Sequence, residues 1–222
     1  MRRKIYVYFL AMPLTYTIMM LWEHRICSIN NIISLIIYGF ICMITGVIIV
    51  EVYRLFVGRK FREPIAILVL VSIDYVIKII MDKIFIEPMI IFKDIWEIST
   101  SKNMNQNAIF NYWGIECSLL VATVIKIFLI GFILIIFMCF NKKYKTILAE
   151  YLNIAYIVTL SAALCSLLDT LYWGYTLDYI RFVDFMYCDI KDFYVDIGVS
   201  MFLVYYIKLQ TLKENRKKGL QL

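Results

Sequence analysis

Histidine is almost missing from this chain of 222 residues, His24 being its one copy. His24 stands beside Glu23 and Arg25 between two apolar runs and reads as a loop surface residue rather than a catalytic one. The six cysteines (Cys27, Cys42, Cys117, Cys139, Cys165, Cys188) form no CxxC and no Cys/His cluster. That spacing excludes the usual zinc and redox motifs. Most of them lie inside apolar runs, where a thiol behaves as a small hydrophobe; Cys117 and Cys188 are the pair to test for a disulfide. Charge is scarce too, at 18% of residues against about 25% in an average soluble domain. No internal repeat is visible, which argues against a repeat-built transporter.

Apolar residues are abundant: they make up 63% of the chain, and the mean hydropathy is +0.79. Such a composition predicts a polytopic membrane protein, and one bundle accounts for the length. The first apolar run, Ile5–Trp22, follows a basic start but has no small-residue cleavage site after it, so it reads as a helix and not as a removable leader. Ile32–Val50 carries no charge over about the 20 residues that a bilayer span requires. Pro64 opens a third helix, about Ile65–Ile86. Further helices are expected at about Ser118–Phe140, Leu152–Leu168 and Asp196–Lys208.

The net charge of +6 is a topology signal. Basic residues collect before the first run, between the second and third, between the fourth and fifth, and in the tail at Lys213, Arg216, Lys217 and Lys218. An excess of this kind marks the cytoplasmic side. It puts both termini inside and leaves no reason to invoke nucleic acid. Two long segments, Glu87–Cys117 and Asp169–Lys191, then lie outside. The first is rich in Asn and lacks a helical period, which favours turns and short strands. Trp96, Tyr112, Trp113, Tyr172, Trp173, Tyr175 and Tyr179 fall in these segments and suit the headgroup level. The expected fold is therefore an all-α polytopic membrane protein of six transmembrane helices with a small extracytoplasmic β-platform at about residues 87–117.

Acidic residues at membrane depth are costly and mark function. Asp169, Asp178 and Asp196 sit at or near the edges of apolar runs. Asp178 and Asp196 are joined by a short surface excursion that can return one to the other. Two close carboxyls share a proton, one acting as base and one as acid, which is aspartyl peptidase chemistry. The bland alternative is helix-end solvation of these acids. Asp74 and Lys78 lie one turn apart and can pair simply to lower their burial cost. Asp184, Asp189 and Asp192 read as solvated surface acids, Gly174 as a turn, and Lys126 as a cation that snorkels or reaches between helices.

Four blocks of this sequence resemble the lipoprotein signal peptidases (signal peptidase II), in the family's order. They are Asp74 and Lys78 in IDYVIK, Asn105–Phe110 (NQNAIF), Leu167–Ile180 with Asp169 and Asp178 nine residues apart, and Asp192–Ser200 with Asp196 on the block's aspartate. The resemblance implies a catalytic pair Asp178 and Asp196. It implies support from Asp169, Asp74, Lys78, Asn105 and Ser166, and substrate contacts from Asn105, Phe110 and Tyr175. It implies no metal or organic cofactor. The partners would be a diacylglyceryl-modified prolipoprotein and membrane lipid. The setting would be the bacterial cytoplasmic membrane, with the site at its outer face. The chain departs from the family at Ser166 (Asn there), Thr170 (Arg), Phe193 (Asn) and Asn107 (Gly). On this reading residues 1–63 are two accessory helices, 64–211 the peptidase core and 212–222 a basic cytoplasmic tail. The rival functions are a non-catalytic relative that binds a lipopeptide or membrane partner, and a small six-helix carrier.

Overall fold

The computed structural model describes residues 6–23, 26, 28–55, 62–84, 88–93, 95–103, 118–143, 148–182 and 186–217. A short 3-10 stretch, Tyr6–Leu10, runs into α1 (Ala11–Trp22). Then come α2 (Ile29–Leu55), α3 (Arg62–Ile84), β1 (Met89–Phe92), β2 (Trp96–Asn103), α4 (Leu119–Lys143), α5 (Ala149–Tyr172), β3 (Thr176–Phe182), β4 (Met186–Cys188) and α6 (Ile190–Lys217). Among the described residues, α2 to α6 are long and apolar enough to cross a bilayer; the first helix is a shorter apolar piece, Tyr8–Trp22. The six expected apolar runs are all helical over their described residues. The last helix begins at Ile190, six residues before the Asp196 predicted from hydropathy, because a polar first turn starts it.

α5 is the central element. It packs along α6, α4 and α3, and its buried face includes Ile154, Ile157, Val158 and Ser161. α3 and α4 turn much of their surface outward, with Leu68, Val76, Leu120, Phe128 and Met138 exposed. An apolar surface of this size has lipid as its natural solvent. The N-terminal 3-10 stretch and α1 lie against α2 and α6. Their seam is tight: Phe9 is fully buried and its ring fills the notch that Gly46 of α2 leaves.

The strands form one antiparallel sheet in the order β1-β2-β3-β4. The sheet thus draws on both long inter-helix segments and not on residues 87–117 alone. β2 from the first pairs with β3 from the second, Trp96 opposite Phe182 and Ser101 opposite Asp178. Arg181 and Glu97 lock the same register at 3.0 Å. Gly174, with φ +74°, ends α5 as the expected turn: its N–H donates to Thr170 O at 3.2 Å. A residue with a Cβ is disfavoured at that angle. The turn folds β3 back over the bundle end, so Asp178 arrives beside the last turn of α5. Cys188 is a buried free thiol, so it makes no disulfide; Cys117 lies outside the described residues.

Candidate active site

Lys78 is fully buried, and the site is built around it. Its position on α3 aims the ammonium at the end of α5. The Nζ lies 2.8 and 2.7 Å from the two Asp169 oxygens, 3.1 Å from Asp74 Oδ2 and 2.7 Å from Asp189 Oδ2. The i,i+4 pairing of Asp74 with Lys78 is therefore real but is the longest of these contacts. A second ammonium, Lys191, bonds Asp189 and stands 3.5 Å from Asp169 and 3.6 Å from Asp178. The carboxylate oxygens of Asp178, Asp189 and Asp192 all lie within 4.8 Å of one another. Five carboxyls thus share one water-poor region with two ammonium groups. They cannot all ionise there, so the cluster holds protons to exchange.

Asp189 and Asp192 are corrections to the sequence reading, which has them as solvated surface acids. Asp189 is fully buried and Asp192 partly so. They form a reciprocal cap on the first turn of α6. The Asp192 N–H donates to Asp189 Oδ1 at 3.3 Å, and the Asp189 N–H donates to Asp192 Oδ2 at 2.9 Å. The D-x-x-D spacing is the signal that could have found both, since acids three apart at a helix start satisfy each other's orphan donors. Tyr179 on β3 holds the same turn, its hydroxyl accepting the Ile190 N–H at 3.3 Å.

Burial pushes the Asp178 carboxyl up to about 6, against the Lys191 ammonium and with the help of the Asp189 carboxylate. Burial also acts to raise Asp189, but Lys191 and Lys78 together outweigh it and hold that carboxyl below the usual range. So two of the acids around Lys191 differ: Asp189 is a fixed counter-charge, and Asp178 can take a proton near neutrality.

Asp196 lies elsewhere. It is buried one helical turn beyond Asp192 and accepts from two phenols, Tyr16 at 3.0 Å and Tyr38 in a shorter contact. Both tyrosines belong to the N-terminal helices. The two acids that the sequence pairs, Asp178 and Asp196, therefore have different neighbours, and Asp192 is the α6 carboxyl beside Asp178. Ser166 offers its carbonyl to Lys126 at 3.0 Å, and Thr170 accepts from the same ammonium. Lys126 thus has a partner set: it crosses from α4 to the stretch of α5 just before and after Asp169. Tyr175 lies at the bend before β3 and its ring faces Lys102 at 5.3 Å. Asn105, Phe110, Asn107 and Asp184 lie outside the described residues.

A groove of about 490 Å³ leads to this cluster between α4, α5 and α6. Its walls are apolar, with Phe132, Phe137, Ala162 and Val199 among them, and its polar end is Ser166, Lys191 and Asp192. An extended apolar chain could lie along it with a polar group at the acids. The Asp178, Asp189 and Asp192 oxygens are close enough to hold a cation, but Lys191 already fills that role.

The sequence model of the family described as signal peptidase (SPase) II matches residues 65–208. No curated protein matches the chain. Two solved structures, each described as a bacterial membrane enzyme determined by the in meso method, share its fold. One has a TM-score of 0.55 and 21% identity, covering 70% of this chain and 93% of its own. The other has a TM-score of 0.55 and 19% identity, covering 68% and 95%.

Proposed function

Because the chain belongs to the signal peptidase II family, we propose that it is a membrane aspartyl endopeptidase that cuts signal peptides from lipid-modified prolipoproteins. The observation that carries this reading is the acid cluster at the head of the apolar groove. A lipid-modified peptide needs a binding surface open to the bilayer and a water-activating group at its edge, and the groove and Asp178 supply these two needs.

The acid pair that the geometry favours is Asp178 with Asp192. Asp178, with its pKa near 6, is ionised at neutral pH and takes a proton from water. The water oxygen attacks the scissile carbonyl carbon. The Asp192 carboxyl gives its proton to the carbonyl oxygen, forming a neutral diol. As the C–N bond breaks, the proton held on Asp178 passes to the departing amine and a diol proton returns to Asp192. Each carboxyl ends as it began, and no cofactor takes part. Lys191 and Lys78 hold Asp189 charged and both stand against Asp169, so these two acids orient the ammonium groups. A second reading, Asp178 with Asp196, rests on the resemblance of the last sequence block.

The basic loops support a chain with both termini in the cytoplasm and the cluster at the outer face of a bacterial cytoplasmic membrane. The test is incubation of the purified protein with a diacylglyceryl-modified prolipoprotein. Release of the signal peptide is expected, and none from the unlipidated precursor. If the wild type binds the lipidated substrate and never cuts it, the chain is a non-catalytic binder.

A further inference from the structure

We propose that Tyr38, on a helix outside the matched region, is a positioning residue that sets the separation of Asp178 and Asp192. The inference rests on the peptidase reading above. Three contacts carry it. The Tyr38 ring meets Phe182 edge-on at 5.6 Å, four residues after Asp178 on β3. It also meets Phe193, the neighbour of Asp192, at 5.1 Å. Its hydroxyl donates to Asp196, one turn further along α6. One fully buried side chain therefore touches both the strand that carries the first acid and the helix turn that carries the second.

Neighbouring contacts make the arrangement stiff. Tyr16 of α1 bonds the other Asp196 oxygen at 3.0 Å and packs on Tyr38 at 5.9 Å. One turn before Tyr38, the Ser34 hydroxyl donates to Ile95 O in the β1–β2 turn at 3.2 Å. So α2 grips the platform and α6 at once. A strand and a helix that approach from different segments need such a wedge, since no covalent geometry fixes their spacing. The acid pair is then completed from the N-terminal helices, which are more than an accessory anchor.

The experiment compares full-length Tyr38→Leu, Tyr38→Phe and Tyr53→Leu in cleavage of the lipidated prolipoprotein. Leu fills much of the space but cannot wedge two rings apart. A displacement of about 1 Å at reacting groups costs about 10²-fold in rate, so Tyr38→Leu should lose about that in kcat with KM unchanged. Tyr38→Phe keeps the ring and should recover most of the loss. Tyr53, buried on the same helix beside Arg62 and Asn153, is the control, and its Leu variant should keep kcat. Wild-type kcat in Tyr38→Leu, or an equal loss in Tyr53→Leu, overturns the proposal. If Tyr38→Leu does not fold, Phe182→Leu takes its place, since it removes the ring that Tyr38 meets on β3 and leaves Tyr38 itself in position. Wild-type kcat there overturns the proposal, and a reduced kcat with unchanged KM supports it. A second readout needs no cleavage: the part of the pH dependence of unfolding between pH 4 and 7 that Asp178→Asn removes reports Asp178 among Lys191, Lys78, Asp169, Asp189 and Asp192. It should flatten in Tyr38→Leu, or in Phe182→Leu, but not in Tyr53→Leu, and an unchanged profile in both ring variants overturns the proposal. If the wild type cuts no lipidated substrate, the peptidase reading falls and this second readout alone decides on Tyr38.

Discussion

Asp178→Asn should make the protein inactive and more stable at once. Asn has nearly the size of Asp and resembles its neutral form, so it escapes the cost of ionising in a buried place. That cost follows from the raised pKa. The carboxyl moves from 3.8 to about 6, because burial opposes the charge more than Lys191 favours it. Two pKa units are worth about 3 kcal/mol. The sign is fixed by linkage: the folded state holds the Asp178 proton more tightly than the unfolded state does. Its contribution is fully present below pH 3.8 and is lost as pH rises through about 6. The variant lacks that loss, so its advantage should be near zero at pH 3.5 and full at pH 7. For a chain of this length, 3 kcal/mol corresponds to about 6–12 °C in Tm. Thermal unfolding of both proteins in detergent micelles, at pH 3.5 and pH 7, measures the difference. Cleavage should fall at least about 10²-fold, the usual contribution of a general base. In the wild type, cleavage should itself fall as pH drops through about 6, since the base must be ionised. A variant no more stable at pH 7, or equally favoured at both pH values, refutes the buried-ionisation argument. A folded variant that cuts at the wild-type rate refutes the assignment of the base.

Asp192→Asn should abolish nearly all cleavage, while Asp196→Asn should retain rate within about tenfold, as a braced neighbour and not a reacting acid; the reverse ranking in a single-turnover assay would restore the Asp178–Asp196 pair. Lys126→Met should cost about 1.5–3 kcal/mol in unfolding free energy, the worth of hydrogen bonds from a charged donor, because the Ser166 carbonyl and Thr170 hydroxyl lose that donor. Gly46→Ala should destabilise by about 1–3 kcal/mol through overpacking, since the added methyl meets the Phe9 ring; an unchanged Tm would show that the N-terminal seam yields. A reporter fused after Leu222 should behave as cytoplasmic and one near Asn103 as external.

The apolar runs were readable because bilayer length is written in composition: Ile32–Val50 lies within α2, and Ser118–Phe140 is within one residue of the start of α4. The start of α6 was not, because hydropathy is blind to a polar capping turn, and the stretch from Ile190 to Val195 falls below the apolar threshold that marks a span. Sheet pairing was half legible. Strand tendency in Trp96–Asn103 is local, whereas its partner β3 lies beyond two membrane helices. The site showed the same division. The Asp74–Lys78 pair has a helical period and could be seen. The Lys78 contacts to Asp169 and Asp189 span some 90 to 110 residues and have no period at all. Tyr16 and Tyr38 carried no signal as site residues, because a tyrosine in an apolar run looks like packing until its hydroxyl finds an acid.

The pairing of Lys78 with Asp74 has a consequence for how the chain is made. Synthesis delivers α3 to the bilayer before residues 169, 189 and 191 exist. At that moment Lys78 has a single counter-ion within reach, Asp74, one turn earlier on the same helix. An ammonium alone at membrane depth is expensive, by about 2.5–3.5 kcal/mol on insertion scales. Later, both Asp169 oxygens and Asp189 crowd the same ammonium, and Asp74 Oδ1 is left with no hydrogen bond among the described residues. On that order of events Asp74 would serve as a travelling companion for Lys78 during membrane integration, needed most while the nascent chain waits for its later helices. Its removal would be felt at the translocon, as a lower yield of inserted protein, before it is felt in the finished fold.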